Sequence, residues 1–140
     1  MNWFGKAPPE PPAEALPTDN KGVGSLGESA ATAFLEGKGY RIQARNFRCK
    51  GGEVDIIATA PADNSLVFIE VKTRRDLSYG VPQLAVTPFK QRQISKAALT
   101  YLSKNRLHGV NARFDVIAIL LSNDGRHKVE HIVNAFDLAY

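Results

Sequence analysis

Two short segments place acids where they could act together. Glu53–Val54–Asp55–Ile56–Ile57 and Ile69–Glu70–Val71–Lys72 set charged residues among β-branched ones, a composition that suits strands. Successive strand side chains alternate faces. Glu70 and Lys72 therefore share one face, Ile69 and Val71 the other, and Asp55 lies opposite Val54 and Ile56. If residues 60–65 turn the chain back, Thr59 pairs with Leu66. That register sets Asp55 across from Glu70, and Glu53 across from Lys72. Directly opposed side chains have Cβ atoms roughly 4.5–5.5 Å apart. A slip of one residue sends the two carboxylates to different faces.

Two carboxylates at that separation repel unless a cation lies between them. Hard oxygen ligands suit Mg²⁺ (or Mn²⁺), an ion that keeps several waters and accepts phosphate oxygens. Lys72, beside Glu70 on one face, can reach the same phosphate or the attacking water. This is equipment for metal-assisted phosphodiester hydrolysis. The competing reading is a solvated salt-bridge ladder on an exposed sheet face.

Three further sets of residues bear on that site. Ser25–Leu26–Gly27–Glu28 fits a capping box, in which Glu28 folds back on the Ser25 amide; a helical projection also sets Glu28 at the edge of the apolar stripe, within reach of the sheet. Lys90 falls on the line Lys90, Ile94, Ala97, Tyr101, the inner face of a helix, in its first turn. A charge there must emerge at the sheet's edge or meet an anion. Arg45, Arg48, Lys50, Arg74 and Arg75 cluster at strand ends as candidate phosphate contacts. Arg92 and Lys96 point away and suit a solvated face that also steers nucleic acid. His108, His127 and His131 are dispersed and read as surface or turn residues, not ligands.

The elements that must position these residues follow from periodicity and breakers. A first helix should run from about Gly22 or Ser25 to Lys38, with Ala30, Ala31, Phe34 and Leu35 as its stripe and Gly37 and Gly39 as its stop. Tyr40–Arg48, Glu53–Thr59 and Leu66–Arg74 read as strands, and residues 75–86, with Gly80 and Pro82, as irregular. Thr87 and Pro88 are an N-cap and a first helical residue for a second helix ending near Asn105. Arg113–Leu121 is too apolar to be exposed on either face and belongs inside the sheet. A turn at Asn123, Asp124 and Gly125 precedes Lys128–Phe136, an edge strand or a short helix. The expected fold class is α/β, an αβββαβ core with helices flanking a mixed sheet.

Length and composition bound the rest. The 140 residues allow one domain over 21–140, preceded by a flexible tail over 1–20 that holds five of the eight prolines. One cysteine excludes an internal disulfide framework. No apolar run is long enough to cross a bilayer and no leader pattern opens the chain, so the expectation is a cytoplasmic protein without a membrane partner. Net charge is +4; with the one base and three acids of the first 20 residues set aside, 17 bases face 11 acids, a net +6. A basic domain favours a polyanion such as nucleic acid.

The ordered motifs Gly24–Ala31, Gly39–Ile42, Arg45–Arg48, Gly52–Ile57, Val67–Arg74, Ala85–Arg92 and Arg113–Ile117 resemble the YraN-like family. Through it they resemble archaeal Holliday-junction resolvases and PD-(D/E)xK nucleases. The resemblance covers roughly residues 21–120. It implies a restriction-endonuclease-like fold, with Glu28 as the first-helix acid, Asp55 as the strand acid, Glu70–Val71–Lys72 as the E-x-K element, the Val71 backbone carbonyl as a further metal ligand and Lys90 as the helix lysine. Val54 stands where the superfamily's proline would be. The implied activity is a Mg²⁺-dependent endonuclease on DNA, with branched or structured DNA as a candidate substrate. A homodimer would supply the two active sites that junction cutting needs. The alternative is a non-catalytic nucleic-acid-binding or accessory protein of DNA repair, recombination or uptake.

Overall fold

The β-branched runs pair as their spacing predicts. In the computed structural model, which describes residues 20–74 and 86–139, the elements are α1 (Asn20–Gly37), β1 (Arg41–Cys49), β2 (Gly52–Thr59), β3 (Leu66–Arg74), α2 (Pro88–Lys104), β4 (Ala112–Leu121) and β5 (His127–Phe136). Apart from Asn20, which opens α1, the expected tail lies outside the described residues. So do Arg75 and the expected irregular stretch, save Val86.

The sheet runs β1-β2-β3-β4-β5. β1–β2, β2–β3 and β4–β5 pair antiparallel, and β3–β4 pair parallel, with α2 in the connection between them. This is the expected mixed α/β sheet of a restriction-endonuclease-like core. The terminal element is the edge strand, not the short helix.

Each helix buries its small-residue stripe against one face of the sheet. Ala30, Ala31 and Leu35 of α1 pack on Ile56, Ile69, Ile117 and Ile119. Ile94, Ala97 and Ala98 of α2 pack on Val54, Ile57, Phe68 and Phe114 from the other side. Thr87 caps α2 by accepting the Lys90 N–H at 3.2 Å, with Pro88 following it. Gly39, at φ +91°, ends α1 in the left-handed conformation, and the Tyr40 N–H reaches back to the Leu35 carbonyl at 3.0 Å.

Three local expectations give way. Because α1 begins at Asn20, Ser25 is internal and the capping box does not form; Glu28 is free to face the sheet. Val54 and Ile56, expected on one face, lie in the two cores on opposite sides of the sheet. The alternation slips because Asn46, across from Asp55, takes φ +52°. The β1–β2 ladder steps from Arg45↔Ile56 to Phe47↔Val54 over that rung. Finally, the β2–β3 ladder has the expected register but ends at Ile56↔Ile69, one rung short of Asp55 and Glu70, so neither that pair nor Glu53 with Lys72 is held as ladder partners.

Candidate active site at the fork between two strands

Where β2 and β3 part, their backbone groups need other partners, and the acids supply them. The Asp55 carboxylate accepts the Val71 N–H at 2.8 Å, which the antiparallel ladder no longer serves. Glu70, 9% exposed, meets Asp55 side chain to side chain, a contact that favours the protonated form of Glu70 and the charged form of Asp55. Burial and the Asp55 charge push the Glu70 carboxyl up to about 8. Burial raises Asp55 as well, against the hydrogen bonds from Val71 and Glu70. One proton between a buried carboxyl and a half-buried one is the state expected when like charges share a site.

Other expected residues converge on this pair from both helices. Glu28 of α1 is raised above its ordinary value by burial and by the Asp55 charge, while a hydrogen bond from Asn46 and the charges of Arg45 and Arg48 pull it down. Lys90, in the first turn of α2, meets the anion its position required: Nζ lies 2.8 Å from Oε1 of Glu53. It also acts electrostatically on Asp55 and Glu70. Arg48 adds a longer contact to Glu53 at 3.7 Å. Lys72 is half-buried beside Glu70; burial first, then the Arg74 charge, lower its ammonium, and Glu70 opposes them.

Glycines set the distances. A Cβ on Gly27 would run into the Thr73 side chain, so α1 rides directly on the end of β3. One on Gly52 would come within 2.7 Å of Ala97 N and Gln93 O, the backbone of α2. Gly27 thus lets α1 close on the Thr73 side chain beside Glu28, and Gly52 lets the sheet close on the α2 backbone beside Glu53.

The expected site residues therefore divide. Glu28, Asp55, Glu70, Lys72 and Lys90 gather at the fork, with Arg45, Arg48 and Arg74 exposed around it. Arg92 does not join them and lines a groove on the outer side of α2. Sequence reasoning passed over Glu53 as the Lys90 partner and Asn46 as the Glu28 donor. An asparagine inside a strand pattern, a residue tolerant of positive φ, was the available signal. His131 also departs from its expected surface role: its side chain is 5% exposed and bonded to Asp115 at 2.8 Å.

The donor set fits a small hard cation. Asp55 and Glu70 set two carboxyl groups against each other, and Mg²⁺ is commonly bound through one or two carboxylates plus water. Among the described residues no three Asp, Glu, His or Cys side chains close around one point, so Glu28 stands near the pair, not within a ready-made cage. No helix among them is long and apolar enough to cross a membrane.

Comparison with known proteins gives one consistent result. The family described as "Uncharacterised protein family UPF0102" matches residues 27–119. A UPF0102 protein of Pelobacter propionicus is 70% identical over 131 residues, covering 94% of each chain. One from Geobacter sulfurreducens is 61% identical over 121 residues, 86% of this chain and 93% of the relative. One from Caldanaerobacter subterraneus subsp. tengcongensis is 42% identical over 120 residues, 84% and 97% respectively. A solved structure described as SSO0001 aligns over 86% of this chain and 55% of its own at 18% identity and a TM-score of 0.39, too slight a likeness to carry an argument.

Proposed function

The chain belongs to the uncharacterised protein family UPF0102, and from its site we propose a Mg²⁺- or Mn²⁺-dependent endonuclease of the PD-(D/E)xK kind that hydrolyses phosphodiester bonds in DNA. Branched or structured DNA is the favoured substrate. The observation that carries this reading is the meeting of Asp55, which accepts the Val71 N–H at 2.8 Å, and the buried Glu70 at a strand fork, with Lys72 on the Glu70 strand two residues on. A structural salt bridge would not set one acid against another.

Asp55 and Glu70 hold the ion, with the Val71 carbonyl as a further ligand. A divalent ion there supplies Lewis acidity and a water of lowered pKa. The Val71 N–H keeps Asp55 aimed into the fork. Glu28 supports the ion or orients the water from α1. Lys72 places its ammonium on the phosphate, where negative charge grows in the transition state. Lys90, held by Glu53, keeps a positive charge beside the acids. Arg45, Arg48 and Arg74 contact flanking phosphates, which position the strand without reading sequence.

A second reading has one observation in its favour: among the described residues no three acids converge on a single point. On that reading the chain binds nucleic acid without cutting it. A cleavage screen over duplex, single-stranded and four-way-junction DNA, and over RNA, separates the two. Mg²⁺-dependent cutting lost in Lys72→Ala and in Asp55→Ala with Glu70→Ala supports the nuclease. Binding without cutting on every substrate supports the alternative.

A further inference from the structure

The outer side of α2 carries a feature that the fork does not use. The helix, PFKQRQISKAALTYLSK, holds four bases and no acid. A solvent-facing helix ordinarily balances its cations with acids three or four residues away; this one cannot. Phe89, Arg92, Gln93, Lys96 and Leu99 recur at helical spacing along one stripe and line a groove of about 520 Å³ with Gly51. Phe89 is 63% exposed and Leu99 41%. Facing the helix are the β1–β2 turn, held against α2 by Gly52 and carrying the exposed Lys50, and Ala139, whose N–H is bonded to Ser95 of α2.

An exposed aromatic ring in a cationic groove has a specific use. Unpaired bases present a π-face to stack on, while the phosphates beside them take the cations. A duplex keeps its bases stacked internally and offers the ring nothing. Phe89 directly precedes Lys90, which is bonded to Glu53 at the fork, so the aromatic end of the groove is the end nearest the acids. We infer that this groove binds an unpaired nucleic-acid strand, with a base stacked on Phe89 and phosphates on Arg92 and Lys96, and leads it to the fork. The inference rests on the nucleic-acid reading of the site, though not on cleavage.

Binding is measured by fluorescence anisotropy of a labelled oligothymidylate and of a duplex of equal length, in EDTA so that no metal chemistry enters. The full chain is expected to prefer the single strand. Phe89→Ala should lower that preference about tenfold, the scale of one lost stacking contact. Arg92→Ala with Lys96→Ala should weaken binding to both DNAs and shallow the salt dependence by roughly two phosphates' worth. A tryptophan at this position in a background lacking the native one (W3F with F89W) should be quenched by the oligonucleotide. Equal affinity for single strand and duplex, an unchanged preference in Phe89→Ala, or equal binding of an acidic peptide would overturn the inference. Metal-dependent cutting that persists with any of those results leaves the fork standing and sinks only the groove; no nucleic-acid binding at all sinks both.

Discussion

The molecule buries acid at two places and treats it in opposite ways. Asp115, in the interior strand β4, is fully buried. It accepts from Arg113 Nε at 3.1 Å, from the Asn134 N–H at 2.9 Å, and from His131 Nε2 at 2.8 Å. Arg113 is in turn bonded to the Tyr40 hydroxyl at 2.8 Å, and the rings of Phe34 and Tyr40 stand edge-on to His131. Those donors hold the Asp115 carboxyl below its ordinary value despite burial. At the fork burial wins: it raises Asp55 against the hydrogen bonds that would lower it, and together with the Asp55 charge it raises Glu70. Satisfied buried charge ties β4, β5 and the start of β1 together. The under-compensated charge at the fork is the physical basis of the proposed metal site.

The largest test of that contrast is Asp115→Ala. It strands Arg113 and His131, and should cost about 3–5 kcal/mol in urea unfolding, the range for breaking a buried pair. It should leave metal-linked stabilisation intact in whatever fraction stays folded. A loss under 1 kcal/mol would show that the two clusters do not differ in kind.

Next comes Glu70→Gln, with the opposite sign. The folded Glu70 value of about 8 lies above the ordinary 4.5. Between those values the native state keeps a proton that the unfolded chain has released, so metal-free stability should fall as pH rises from about 5 to 8. Glu70→Gln should flatten that limb and raise stability at pH 8 by up to about 4 kcal/mol, the span from 4.5 to about 8 converted at ~1.4 kcal/mol per pH unit. Adding Mg²⁺ at pH 8 should raise the wild-type Tm and leave the Gln variant unmoved. Asp115 contributes the reverse slope: its stabilisation is complete above the ordinary carboxylate value and disappears as pH falls through its lowered one. A wild-type profile that rises monotonically from pH 4 to 8 would contradict the assignment of the fork.

Gly27→Ala sharpens the comparison geometrically. Its methyl would push α1 away from Thr73 and carry Glu28 from the fork, while the Asp115 cluster is untouched. A destabilisation of about 1–3 kcal/mol is expected, with cleavage lost more steeply than stability. Equal loss of both would make Gly27 a packing residue alone. The smallest effect is that of Glu53→Gln. Its partly exposed pair with Lys90 should be worth under ~1 kcal/mol, and the removed negative charge should ease deprotonation of Glu70, moving the alkaline limb to lower pH.

Much of this was legible before any coordinates. The Thr59–Leu66 register followed from a six-residue turn between two β-branched runs, and the helix cap at Thr87 from a threonine before a proline. What escaped was the slip at Asn46 and Asp55. Alternation is a rule about regular strands, and nothing in the types of Val54 and Ile56 says that a left-handed residue on the neighbouring strand will turn them to opposite faces. The Glu53–Lys72 pairing failed for a related reason, because pairing registers do not announce where a ladder ends. His131 escaped because a histidine near a turn carries no mark of the buried aspartate that meets it from another strand.

By itself the chain determined which residue types lie near one another along each strand and helix, because periodicity and caps act over a few residues. It also determined that the domain would be basic. Only the tertiary structure decided that Asp55 and Glu70 are both raised above their ordinary values while Asp115 is held below its own by its donors. Desolvation and hydrogen bonding depend on groups brought from distant parts of the chain, and those meet only when the sheet closes and both helices settle on it.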